Sequence, residues 1–200
     1  MLEIYLVRHG ETKLNKESVY YGWTDCDMTE LGYTQAEELR TMLEENQFDV
    51  VYSSPLKRAL HTAQIISKLD EEDIITDNRL KEINFGLWEK KHYKQIEVEY
   101  NQIWNKWCND WKNTEPPEGE SFIRLYKRTV DFINDMLINN INKKLLVVSH
   151  HGCLRIILSY LIHGSENGYW NYKFEHGCYT KIEVDEYKHT TLLKLNASKL

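Results

Sequence analysis

The apolar positions of the chain fall into two rhythms, short runs and a 3.6-residue recurrence, and the two alternate. Leu2 to Val7 is an aliphatic, β-branched run that stops at Arg8-His9-Gly10, which predicts a buried strand ending in a loop. Thr29 can cap a helix reaching about Glu45, in which Ala36, Leu39 and Leu43 share one face. Phe48 to Tyr52 returns as a second apolar strand, closed by Ser53-Ser54-Pro55. Leu56, Ala59, Ala63 and Ile66 then recur at helical spacing, with Arg58 in the first turn. A later helix starts at Ser121 and buries Phe122, Leu125, Phe132 and Met136; Lys144 to Ser149 follows as a strand, ending in His150-His151-Gly152 and leading into another helix.

Strand, helix and strand in this order predict βαβ units, and therefore an α/β fold with a parallel sheet. The tail breaks the pattern. Tyr179 to Val184 alternates and Thr191 to Leu195 is also strand-like, which predicts an antiparallel pair closing the sheet. Glu115-Pro116-Pro117-Glu118-Gly119 reads as a loop between helices, because the apolar stretches beside it are too short to make separate cores. With 200 residues, 42% of them hydrophobic, the chain is expected to form one domain over 1–200.

Composition narrows the chemistry. A formal net charge of −6 leaves no broad cationic surface, so nucleic acid is excluded as the expected partner and any anion must be bound locally. Cys26, Cys108, Cys153 and Cys178 form no CxxC pair and read as reduced thiols of a cytoplasmic protein. No cationic leader and no apolar stretch of membrane-spanning length is present, so no membrane association is expected. His61, His92, His163, His176 and His189 show no metal-ligand spacing and are read as surface or satisfied core residues; no metal and no cofactor is implied.

Ligands of open α/β sheets bind beyond the carboxyl ends of the parallel strands. Two of those ends carry Arg8-His9 and His150, and Arg58 follows the strand between them in sequence. Two guanidinium forks and two imidazoles at one edge suit a phosphate dianion.

Leu6-Val7-Arg8-His9-Gly10-Glu11-Thr12 resembles the defining motif of the histidine phosphatase, or phosphoglycerate-mutase-like, superfamily. Four further blocks follow in the family's order: Gly22-Trp23 with Asp25 through Met28-Thr29, Gly32 and Gln35-Ala36; Ser53 to Ala59 with Thr62-Ala63; Leu80-Lys81-Glu82 with Phe85-Gly86 and Trp88-Glu89; and Val147 to His150 with Gly152. The resemblance covers nearly the whole chain and implies a three-layer α/β/α sandwich with a mostly parallel central sheet. It also implies a phosphomonoesterase in which His9 attacks phosphorus and forms a phosphohistidine. A neutral imidazole can do so near pH 7, its unperturbed pKa being about 6.5. Arg8, Arg58 and His150 are then expected to hold the phosphoryl oxygens, with His150 acting best as the cation. Glu82 is the implied general acid, in preference to the nearby Glu89. Asn15 and the backbone amide of His151 are expected as further phosphate contacts. Lys90 departs from the family pattern, standing where many relatives have glycine.

Tyr100, Trp104, Trp107 and Trp111 recur at helical spacing. Packing is the first expectation for such a stripe. The alternative is a helical lid over about 90–120, with Trp104, Trp107 and Trp111 facing a planar substrate. Trp107 to Trp111, the Glu118 to Phe122 loop and Trp170 with Gly177-Cys178-Tyr179 are similar to the alpha-ribazole phosphatase branch of the superfamily, which implies hydrolysis of alpha-ribazole 5'-phosphate in assembly of the cobalamin nucleotide loop. Three other readings stand beside it: a broad-specificity or sugar-phosphate phosphatase, a phosphoglycerate mutase, and a phospho-ligand binding module without turnover. The sequence is short for a mutase's covering insertion and retains His9, Glu82 and both arginines, which ranks the last two lower. Oligomeric state is not legible in it.

Overall fold

The structure, a computed structural model, describes residues 1–199. In chain order its elements are β1 (Leu2–Arg8), a one-turn α1 (Lys13–Lys16), α2 (Glu30–Met42), β2 (Val50–Ser53), α3 (Lys57–Ser67) and β3 (Ile75–Thr76). They continue with α4 (Tyr93–Glu99), α5 (Asn101–Asn109), α6 (Phe122–Asn139), β4 (Lys144–Ser149), α7 (His151–His163), β5 (Tyr179–Val184) and β6 (Thr190–Ala197). Six strands form one sheet in the order β3-β2-β4-β1-β5-β6. β3, β2, β4 and β1 are mutually parallel, while β5 runs antiparallel to β1 and to β6.

The strand pleat sorts side chains between two helical layers. Leu2, Ile4 and Leu6 of β1 and Leu145 and Val147 of β4 pack with Phe132, Ile133 and Met136 of α6 and Leu154, Ile157 and Leu158 of α7. Tyr5, Val7, Leu146 and Val148 point the other way, onto Leu39 of α2 and Ala59, Ala63 and Ile66 of α3. A strand covered on both faces has no polar position to spare, which is why β4 reads as an unbroken apolar run. Each aliphatic side chain so enclosed contributes on the order of 1.5–3 kcal/mol.

The expected elements are present with adjusted ends. α2 stops at Met42, capped by Leu43, rather than reaching Glu45, because the segment turns there to bring Asp49 beside Lys144 (Asp49 N–H to Lys144 O, 2.8 Å). The two-residue β3 was not read from the sequence; Ile75 and Thr76 are both exposed and carry no periodic signal. The 90–120 region is helical only in α4 and α5, and 110–121 is loop. Among the described residues no helix is long and apolar enough to cross a membrane.

Candidate active site

Three neighbouring strand ends build the site. In the β1/β4 register Arg8 stands opposite Ser149, and the His9 N–H donates to Ser149 O at 3.1 Å, so His9 and His150 emerge side by side, ring centroids 5.0 Å apart. Ser54, just past β2, is tied to β4 by its N–H to Val148 O at 3.0 Å, and its hydroxyl lies 2.8 Å from His150 Nε2. Arg58 in the first turn of α3 is 1% exposed; its terminal nitrogens donate to Thr24 O at 2.9 Å and Gly22 O at 2.6 Å. Arg8 donates through Nη1 to Phe174 O at 3.0 Å. Gly10 lets its loop lie against α2, since a Cβ there would strike Gly32 O.

The neighbours of His9 fix its tautomer and its charge. Nδ1 is 2.8 Å from the Gly10 carbonyl, which can only accept, so the ring proton sits on Nδ1 and the Nε2 lone pair is left available. Burial holds the His9 pKa well below the usual imidazole value, and Arg58, His150 and Arg8 lower it further. Burial and the same two arginines do this to His150. Beside these guanidinium groups the ring disfavours a proton in the site as it stands, while the expectation of a cationic His150 concerns the site with an anion bound. His151, at the start of α7, is pushed down to about 3, by burial first and then Arg8 and Arg155.

Most buried polar groups find a partner. Among the described residues six buried side-chain polar atoms lack one: Trp88 Nε1, Thr114 Oγ1, Arg8 Nε, Arg58 Nε, His150 Nδ1 and His151 Nε2; the last four belong to residues picked out from the sequence, though for His151 the expected contact was the backbone amide, not the ring. Unpaired nitrogens beside two fixed guanidinium groups are donors of the kind an oxyanion accepts from.

Glu82 enters from the loop after β3. Its Oε2 accepts the Gly152 N–H at 2.9 Å and its Oε1 the Ile83 N–H at 3.0 Å, and a Cβ at Gly152 would collide with Oε1. The segment is clamped from behind by Ser149 Oγ donating to Leu80 O at 2.7 Å. Arg128 adds bonds to Arg79 O and Lys81 O at 2.7 Å and to Glu82 O at 2.9 Å. Glu89 is spent elsewhere: its carboxylate collects the N–H groups of Gly22, Trp23, Thr24 and Phe85 and so braces the loop that holds Arg58. Lys90 takes φ +63°, a left-handed conformation that glycine adopts at least cost and that is here held by a lysine.

The remaining expectations divide. Asn15 lies in α1, not in a loop, and its Oδ1 is taken by the Thr12 N–H and hydroxyl, at 3.0 and 2.9 Å, in the capping box of that helix, which leaves only its amide nitrogen for an anion. The tryptophan stripe splits into two clusters. Trp104 and Trp107, both half-buried, stack on each other and meet Trp88 and Tyr20 edge-on, and Trp88 is fully buried. Trp111 instead joins Phe122, Tyr169 and Trp170, and Tyr169 reaches the Glu82–Gly152 contact.

Three site neighbours went unread. His176, taken as a surface or satisfied core residue, has its ring 5.3 Å from that of His9 and its Nδ1 2.6 Å from the His9 carbonyl; its pKa falls to about 4, by burial and then Arg8. The signal was available, since a strand antiparallel to β1 brings the residues preceding it to the end of β1. Arg128 and Tyr169 carried none.

The comparisons agree with the geometry. Residues 4–198 match the model of the histidine phosphatase superfamily (branch 1), and the chain belongs to that superfamily. It is 33% identical over 196 residues, 98% of this chain and 96% of the other, to the adenosylcobalamin/alpha-ribazole phosphatase of Escherichia coli K12. It is 30% identical to phosphoserine phosphatase 1 of Hydrogenobacter thermophilus, over 98% of this chain and 92% of that one. The crystal structure of the alpha-ribazole phosphatase from Shigella flexneri superposes with a TM-score of 0.90 at 32% identity, covering 98% and 96% of the two chains.

Proposed function

We propose that the protein hydrolyses alpha-ribazole 5'-phosphate to alpha-ribazole and phosphate through a phosphohistidine on His9. The observation that carries the reaction class is that Arg8, Arg58, His150 and His151 each keep a buried nitrogen without a partner, while His9, its ring 5.0 Å from that of His150, has its Nε2 free. The phosphoryl group docks against them, and Nε2 attacks as the P–O bond to the alcohol breaks. Fixed guanidinium groups take up the charge spread over the equatorial oxygens, with no reorganisation required in the transition state. Glu82, protonated, delivers its proton to the leaving oxygen. The resulting carboxylate then takes a proton from water, which attacks the phosphohistidine and releases phosphate. As the anion arrives, its charge offsets the two arginines and His150 gains the proton it lacks beforehand.

The substrate rests on full-length similarity to proteins bearing that activity, and on the Tyr169, Trp111 and Trp170 wall beside Glu82, a surface suited to a flat apolar base. Phosphoserine hydrolysis is the second reading, favoured by the Hydrogenobacter relative. Phosphate release with EDTA present, from alpha-ribazole 5'-phosphate, phosphoserine, 3-phosphoglycerate, fructose 1,6-bisphosphate and p-nitrophenyl phosphate, separates them. The expected result is a kcat/KM for alpha-ribazole 5'-phosphate at least about 100-fold above the others, about 2.7 kcal/mol of preferential transition-state binding. Comparable values throughout would remove the substrate and leave the mechanism.

A further inference from the structure

The aromatic cluster beside Glu82 ends in a hydroxyl that the reaction described above does not use. Tyr169 lies in the short 3-10 helix Glu166–Asn171 that follows α7. Its ring is held from several directions: Trp111 stacks on it at 5.7 Å and 25°, and Phe122 and Trp170 meet it edge-on at 4.8 and 4.9 Å. The Arg155 guanidinium sits 5.5 Å from the ring centroid, itself fixed by Nε donating to Tyr172 O at 2.7 Å. The ring is therefore placed before any substrate arrives.

The hydroxyl lies near the general acid. A Cβ built on Gly152 would lie 3.4 Å from the Tyr169 hydroxyl and would collide with Glu82 Oε1, so phenol and carboxyl border one small space that glycine keeps open. Burial raises the phenol pKa and the Glu82 charge raises it further, with Arg155 opposing; the group is an O–H donor throughout the working pH range. Each Glu82 oxygen accepts one backbone N–H and retains a second lone pair.

We propose that Tyr169 is a positioning residue for proton transfer: its O–H donates to the Glu82 carboxyl and holds that group against the ester oxygen of the leaving alcohol. The proposal rests on the reading of Glu82 as general acid. Its signature is selectivity for leaving group. An alkoxide must be protonated as it departs, whereas p-nitrophenolate needs little help.

The experiment is steady-state kinetics of wild type, Y169F, E82Q and the E82Q/Y169F double variant on an alkyl phosphomonoester and on p-nitrophenyl phosphate. Phenylalanine keeps the ring and its stacking partners and removes only the donor. The expected result for Y169F is a kcat on the alkyl ester lower by about tenfold, a change below about twofold on p-nitrophenyl phosphate, and an unaltered KM for both. The double variant should match E82Q within about twofold, because a residue acting through Glu82 has nothing left to position. If Y169F loses both substrates equally, changes KM alone or loses nothing, the tyrosine is packing and the proposal fails while Glu82 keeps its role. If E82Q itself loses both substrates equally, the acid assignment falls and takes the proposal with it.

Discussion

At the scale of single residues, His9 is aimed by carbonyls. Its Nδ1–H is directed to Gly10 O, and its own backbone carbonyl receives the imidazole of His176. A neutral carbonyl partner leaves the ring without the extra negative charge a carboxylate would bring, so the imidazole stays neutral beside two arginines. His176 thereby holds the peptide on which the nucleophile is mounted. Removing one such hydrogen bond costs about 1 kcal/mol, about fivefold in rate where the bond orients the attacking atom. We expect H176A to lower kcat by about fivefold to tenfold and H176N, whose amide can still donate to the carbonyl, to recover most of it. Single-turnover phosphoenzyme formation is the measurement, and equal losses in the two variants would rule out the positioning role.

Helix α7 is the element on which the two halves of the reaction meet. Its N-cap and first residue are His150 and His151, and its Gly152 N–H goes to Glu82, so in the proposed reaction one helix start serves both the anion and the acid. This sets up a contrast for G152A. Alanine is favoured over glycine by up to about 1 kcal/mol in a helix, and the colliding partner is the end of a side chain that can swing away. The melting temperature should therefore change little, while alkyl phosphomonoester turnover should drop by about 100-fold as Glu82 leaves its place. A loss of stability as large as the loss of activity would show that the glycine serves packing instead.

The same helix shows what a sequence discloses. β1, β4 and their trailing histidines were legible because strands covered on both faces become apolar runs, and a polar residue at the end of such a run stands out. Arg58 was legible from its place after Ser54-Pro55. Arg128 and Tyr169 were not, because each reaches the site from a chain-distant segment through backbone carbonyls or ring contacts, and any sequence can supply those partners; His176 was legible from the antiparallel strand it precedes, and went unread. Trp104 and Trp107 show the converse: a helical stripe was visible, but the period alone could not distinguish a face packed on Trp88 from one open to a ligand.

The whole molecule carries a net charge of −6 around a pocket of two arginines and four histidines, and this arrangement has a consequence for stability. His9 and His150 are held well below the usual imidazole value, His176 is at about 4 and His151 at about 3, whereas in the unfolded chain each titrates near 6.5. Between those limits the unfolded state binds more protons than the folded one. Stability is therefore fully present above about pH 6.5 and falls as the pH drops through the histidine window toward about 4. From pH 6.5 to 5 the decline belongs to these rings, since carboxylates such as Glu3 and Asp27, whose pKa values are lowered from 4.5 and 3.8, still stay ionised. An oxyanion in the pocket reverses the sign for the rings that touch it, because it favours their protonated forms. Sulfate, dianionic across this range, should therefore flatten the slope as well as raise the melting temperature, the stabilisation being about 2.7 kcal/mol at 100 times its Kd. Melting curves from pH 7 to 5 at fixed ionic strength, with and without sulfate, test this against an R58A control that removes half of the guanidinium pair. The expected result is a steep slope for the free protein, a shallow one with sulfate, and no sulfate-dependent difference in slope for R58A. A free protein whose melting temperature is level from pH 7 to 5 would mean that the histidines titrate normally, and that the pocket does not hold them neutral for attack.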